Sequence, residues 1–198
     1  MRRAEQSIEE FLSDVASGAV TPSGGAAAAL GGAFGAALGE MVCLHTVGTA
    51  GYEDVEDELT ELGDALADRR RRLLELADED VAAVDRVQAV FGGSSAATTE
   101  RQDALEHATL VPLETAELCL DVLDGVLVAV EKGNERATAD GIVGAFLAHA
   151  ALRGSTATVR ANLETVEDET FVSETRTRVD ELEASGDEYH RQVGQIFE

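Results

Sequence analysis

The run from Ala26 to Val47, reached through Thr21-Pro22-Ser23-Gly24-Gly25, limits what this chain can become more than any other stretch. Its alanines favour a helix, and Gly31, Gly35 and Gly39 recur every fourth residue, so one face carries almost no side chain. Each interior glycine costs about 1 kcal/mol relative to alanine, and three on one stripe call for a compensating close approach of another backbone. The run therefore predicts a long helix, part of the core, that another backbone can approach closely. The Pro22 to Gly25 turn would set backbone N–H groups at its start, an arrangement suited to a carbonyl or an anion, or else simply a tight opening turn.

The same run is about as long as a bilayer crossing and has small-xxx-small spacing. Alanine and glycine are weakly apolar, however, Glu40 and His45 interrupt it, and no cluster of Lys or Arg flanks it. Met1-Arg2-Arg3 leads into the acidic, amphipathic Glu5 to Leu12, which is not the pattern of a secretory leader. The expectation is a soluble, cytoplasmic protein with no membrane partner.

Elsewhere apolar residues recur at helical spacing, with only two prolines and no alternating β-branched runs. The fold class is expected to be all-α, as one domain over residues 1–198. Ser7 and Glu10 have capping-box spacing ahead of Phe11, Leu12 and Val15. Tyr52 to Asp57 leads into a long helix carrying Leu59, Leu62, Leu66, Leu73, Leu76, Val84 and Val87, and ending at Gly92-Gly93. Beyond the small-residue loop Ser94 to Thr99, with Thr99 as cap, a helix to Val130 contains Pro112, where a kink is expected. Lys132-Gly133-Asn134 stops it, a fifth helix covers Ala139 to Leu163, and Asp168 caps a sixth. Short connections between long helices predict an antiparallel bundle of five to six, slender enough that a second copy would cover its apolar surface as a homodimer.

The formal charge of -24 comes from 39 acidic against 15 basic residues, spread through every segment. It argues against nucleic acid as a partner and matches a chain adapted to a salt-rich cytoplasm, where screening relieves self-repulsion. Cys43 and Cys119 sit in apolar contexts and read as buried free thiols. His45, His107, His149 and His190 lack metal spacing and read as packing or surface residues, so no metal is expected.

No stand-alone catalytic signature is present, which leaves carboxylates, amides and backbone to do any chemistry. Asp80 shares a helical stripe with Leu73, Ala77, Val84 and Val87, so it is functional, or buried with a partner such as Arg72, two turns earlier, or simply solvated like most acids on the helices of so acidic a chain. Asn134 and Asp140 flank a helix start, where they converge on a ligand or merely cap. Asn162, near an apolar face, needs hydrogen-bond partners from a substrate or from a backbone carbonyl. The Arg69 to Arg72 run wraps most of a turn and suits pairing with Asp68, Glu75 and Glu79.

In this order the segments resemble the cyclodeaminase/cyclohydrolase family, which comprises the C-terminal domain of formiminotransferase-cyclodeaminase and the free-standing methenyltetrahydrofolate cyclohydrolases. The likeness is carried by Thr21-Pro22-Ser23-Gly24-Gly25, Gly35 to Val42, Thr46-Val47-Gly48 before Tyr52, and Asp78-Glu79-Asp80. It continues through Val111-Pro112-Leu113 with Ala116-Glu117, Gly133-Asn134 before Asp140, and Asn162-Leu163.

The resemblance implies an all-helical dimer acting on one-carbon tetrahydrofolates without metal or redox cofactor. Two reactions are implied at one carbon: water opening the cationic methenyl bridge to the 10-formyl form, or N10 displacing ammonia from a 5-formimino group. Cyclohydrolase is the first expectation, because no formiminotransferase domain accompanies the chain; a folate-binding or interaction dimer without turnover is the third. Asp140 and Asp80 are the expected catalytic acids, since a carboxylate stabilises the cation and takes a proton from water. Asn134 and Asn162 are expected to hold the pterin, Pro22, Ser23, Gly24 and Gly25 to form a wall, and Thr46 and Arg72 to add contacts. This chain has Ser23, Ala26 and Ala139 where the family usually has glycine, serine and serine, and Thr49 and Ala50 where it has basic residues. Arg69, Arg72, Arg153 or Arg160 would then have to meet an anionic glutamate tail.

Overall fold

The computed structural model describes residues 5–92 and 97–196, and among them every regular element is helical. The helices are α1 (Ile8–Val15), α2 (Gly24–Thr46), α3 (Glu56–Gly92), α4 (Thr98–Lys132), α5 (Thr138–Asn162) and α6 (Glu169–Gln195). Tight 3₁₀ turns at Glu53–Val55 and Glu135–Ala137 lead into α3 and α5. Met1 to Arg3, Gly93 and Ser94, on which the leader, helix-stop and loop expectations fell, lie outside the described residues.

Local chemistry sets most helix starts. The Ser7 hydroxyl accepts from the Glu10 amide at 3.2 Å while Glu10 accepts from the Ser7 amide at 2.9 Å, a complete capping box. Asp168 caps α6, its Oδ1 accepting from the Thr170 and Phe171 amides. The expectation for α4 needs correcting: its N-cap is Ala97, with no side-chain bond, and Thr99 lies inside the first turn. At the other end Gly133 is needed for space, since a Cβ there would meet the Ala129 carbonyl and lie 3.1 Å from Thr46 Oγ1.

α2 is the axis of the bundle, contacting α3, α4 and α5. It runs antiparallel to α3, as the Glu40–Arg70 ion pair at 2.9 Å and the stacking of Gly32 beside Leu73 require, and antiparallel to α5. The expected stripe of Gly31, Gly35 and Gly39 is split between neighbours, because four residues overshoot one turn. Gly35 meets α5 so closely that a Cβ would lie 2.8 Å from the Gly144 carbonyl, whereas Gly39 faces Val126 of α4. Gly31 has ordinary room. Gly32 belongs among the tight positions, its Cβ place lying 2.5 Å from Cys119 Sγ.

Both thiols are buried in this core, and burial pushes Cys43 up to about 11 and Cys119 to about 12. The helical stretches Gly24–Thr46 and Glu135–Asn162 are long and apolar enough to cross a bilayer by length and composition. Much of each is instead buried in the bundle. What they leave open is an apolar face with Phe34 52% and Val143 51% exposed beside Phe146 and Leu147.

Candidate functional site

At the start of α2 the Thr21–Pro22 peptide is cis, Pro22 is buried, and Gly24 and Gly25 open the helix. Ser23, the N-cap, makes no capping bond of its own. Asp80 of α3 does that work from across the bundle: its Oδ2 accepts from the Ala26 amide at 2.8 Å and from the Ser23 hydroxyl at 3.3 Å. Gly25 is obligatory there because any Cβ would occupy the position of the Asp80 carboxylate. Burial raises the Asp80 carboxyl above its ordinary range, and the Ala26 and Ser23 hydrogen bonds oppose the rise. Among the described residues no protein acceptor takes the Gly24 and Gly25 amides, so the turn offers donors at the positive end of a long helix.

A second locus lies at the far end of α2. Met41, His45, Thr49, Asn134, Arg136, Ala137 and Asp140 wall a hollow of about 390 Å³, within the size range of small-ligand sites. Asn134 shapes it by three bonds. Its amide donates to Thr46 Oγ1 at 2.8 Å, its Nδ2 to the His45 carbonyl at 3.0 Å, and its Oδ1 accepts from the Arg136 amide at 3.0 Å. The Thr46 hydroxyl in turn donates to the Val42 carbonyl at 2.7 Å. Thr46 and Asn134 thus clamp the end of α2 to the start of α5, while Asp140, in the first turn of α5, is exposed and makes no ion pair among the described residues.

Arg72 does not pair with Asp80. Its guanidinium binds Glu114 at 2.7 Å, Glu79 at 2.5 Å and Glu75 at 3.3 Å, joining α3 to α4, and the Glu114 and Glu79 hydrogen bonds hold its pKa raised. Asn162 donates to the Ala108 carbonyl at 2.8 Å, the acceptor that Pro112, without an N–H, leaves unpaired one turn earlier in α4.

The expected site residues therefore fall into two groups. Pro22, Ser23, Gly24, Gly25 and Asp80 gather at one end of α2, with Arg72 and Asn162 toward that side; Thr46, Asn134 and Asp140 gather at the other. The 23 residues of α2 separate the ends by about 34 Å. A larger hollow, about 500 Å³, lies against α6, where Glu164, Glu167, Glu169 and Asp180 outnumber its one cation, Arg176, and repel an anion. Sequence reasoning missed Arg136, because only the folded chain puts it beside Asp140 and His45 without a carboxylate partner.

Comparison with known proteins adds to this geometry. The family described as formiminotransferase-cyclodeaminase matches residues 7–181. The methenyltetrahydrofolate cyclohydrolase of Methylorubrum extorquens is 37% identical over 185 residues, spanning 90% of this chain and 88% of its own. The rat formimidoyltransferase-cyclodeaminase is 26% identical over 90% of this chain, which spans 34% of that longer protein. Among solved structures, the formiminotetrahydrofolate cyclodeaminase of Thermotoga maritima superposes with a TM-score of 0.93 at 32% identity, covering 98% of this chain and 96% of that one.

Proposed function

The chain belongs to the formiminotransferase-cyclodeaminase family, and from that premise we propose that it is a methenyltetrahydrofolate cyclohydrolase of the cytoplasm, needing no metal or other cofactor. The observation that carries the reading is the cyclohydrolase relative, alike over nearly the full length of both chains. In this reaction water adds to the cationic carbon between N5 and N10, losing a proton. The carbinol O–H then loses its own proton as the C=O forms, the C–N5 bond breaks and N5 takes up a proton, leaving the 10-formyl product and one net proton released.

Asp140, solvent-accessible and not ion-paired, is suited to stabilise the cation and accept the water's proton. Asp80 is buried and acts as a positioning residue, keeping the Gly24 and Gly25 amides open to the oxygen that becomes the formyl carbonyl. The two loci meet if two copies pack through the exposed apolar face of α2 and α5. A two-fold axis across the helices sets α2 antiparallel to its copy, so the Asp80 end of one subunit lies with the Asp140 end of the other.

The structural likeness to a cyclodeaminase favours a second reading, ring closure with loss of ammonia. Purified protein in high salt is mixed with methenyltetrahydrofolate, whose near-ultraviolet band reports turnover above the spontaneous rate, and with formiminotetrahydrofolate, whose turnover releases ammonia. The expected result is loss of the methenyl band without ammonia release from the formimino compound; the reverse would make it a cyclodeaminase, and neither a binding protein. Asp140→Asn is expected to lower turnover about 10²-fold or more with helicity intact, and a near-normal rate would remove Asp140 from the mechanism. Co-refolding Asp80→Ala, which loses the acceptor, with Asp140→Asn chains, each nearly inactive alone, should recover about a quarter of the wild-type rate, since half the dimers then hold one intact site; no recovery would reject the shared arrangement.

A further inference from the structure

Most of the cations among the described residues are already matched to a carboxylate. Arg69 pairs with Asp121, Arg72 with Glu114, Arg153 with Glu183 and Arg160 with Asp180, so none of these four, the candidates named from sequence, is available without breaking a pair. Arg136 differs. It is exposed on the wall of the hollow at the end of α2 and makes no ion pair among the described residues of a chain with 39 acids. Its backbone amide is pinned by Asn134 Oδ1 at 3.0 Å, which fixes the turn that carries it. The hollow is thus lined by both signs of charge, Asp140 and Arg136, with Thr49 and His45 adding polar wall.

A reduced folate with a methenyl bridge has the matching polarity: a cationic carbon at the pteridine end and carboxylates on the glutamyl tail. We propose that Arg136 recognises the carboxylate of that tail, the specificity determinant that separates a folate from the same pteridine lacking glutamate. The assignment rests on the folate reading above. A guanidinium grips a carboxylate through two parallel N–H donors, a contact worth about tenfold or more in affinity when it is not competed for by other acids.

The test compares the methenyl forms of tetrahydrofolate and of tetrahydropteroic acid amide, which ends in a neutral carboxamide in place of the glutamyl tail, on wild type, Arg136→Gln, Arg136→Lys and, as a control, Arg176→Gln in the acidic hollow. Wild type should show a KM lower by about tenfold for the folate. Arg136→Gln should erase that difference by raising KM for the folate alone, with kcat within about twofold; Arg136→Lys should fall between, and Arg176→Gln should match wild type. An unchanged KM ratio in Arg136→Gln, or an equal loss on both compounds, would overturn the assignment while leaving the cyclohydrolase reading intact. Should wild type turn over neither compound, equilibrium binding of each decides: preference for the folate that Arg136→Gln abolishes supports the tail contact, and binding of neither removes the folate reading and this assignment together.

Discussion

A single carboxylate oxygen of Asp80 completes a helix that begins on a different part of the chain, and burial raises the carboxyl above its ordinary value of 3.8. A native pKa above the unfolded one means the folded chain holds the proton longer. The contribution of Asp80 to stability is therefore greatest below about pH 4 and falls as pH rises through the native pKa. Asp80→Asn keeps an acceptor for the Ala26 amide but cannot ionise. The stability of wild type minus that of Asp80→Asn, from urea melts, should decrease between about pH 4 and pH 7; a flat difference would show that the burial penalty is absent. Sequence alone showed that Asp80 lies on an apolar stripe, and its burial agrees. It did not show the partner: Arg72 was the plausible neighbour by helical spacing, but three glutamates surround its guanidinium and the Ala26 amide arrives from α2. Asp140 and Arg136 carry no periodic signal at all, since both are exposed and their meaning comes from the hollow they share.

Helix boundaries were readable wherever the signal is a short-range bond. The Ser7 box and the Asp168 cap agree with expectation to the residue, whereas α4 starts on Ala97 without a side-chain cap, so nothing in its local sequence could mark the start. Pro112 is the instructive case. α4 continues through it, and the carbonyl that the missing N–H would have met is taken by Asn162 of α5. The proline and the asparagine therefore form one unit. Asn162→Ala should cost about 1 to 3 kcal/mol in a Pro112 background, by stranding the Ala108 carbonyl, and clearly less in Pro112→Ala, where residue 112 regains a donor. Equal costs in the two backgrounds, measured by chemical denaturation, would mean that the amide acts elsewhere.

For the molecule as a whole, the all-α class was evident because apolar spacing, capping and the scarcity of proline agree along the chain. Which end of the bundle each candidate residue occupies was not, because sequence order does not reveal that α2 holds Asp80 at one end and Thr46 at the other. The charge of -24 acts at this scale too. α6 is seated by Arg153, Arg160 and Arg178 pairs with acids, each a half-exposed contact that salt weakens by little. Self-repulsion summed over the whole surface is the larger quantity, so the melting temperature should rise from dilute buffer to about 1 M KCl. No change, or a fall, would mean that the pairs outweigh the net charge. Timing follows from the same architecture. The carboxylate that finishes the first turn of α2 arrives from 54 positions along the chain, so the central rod cannot act as an autonomous seed for assembly. Its alanine and glycine run gains its last fastening only when the returning arm of α3 closes that loop.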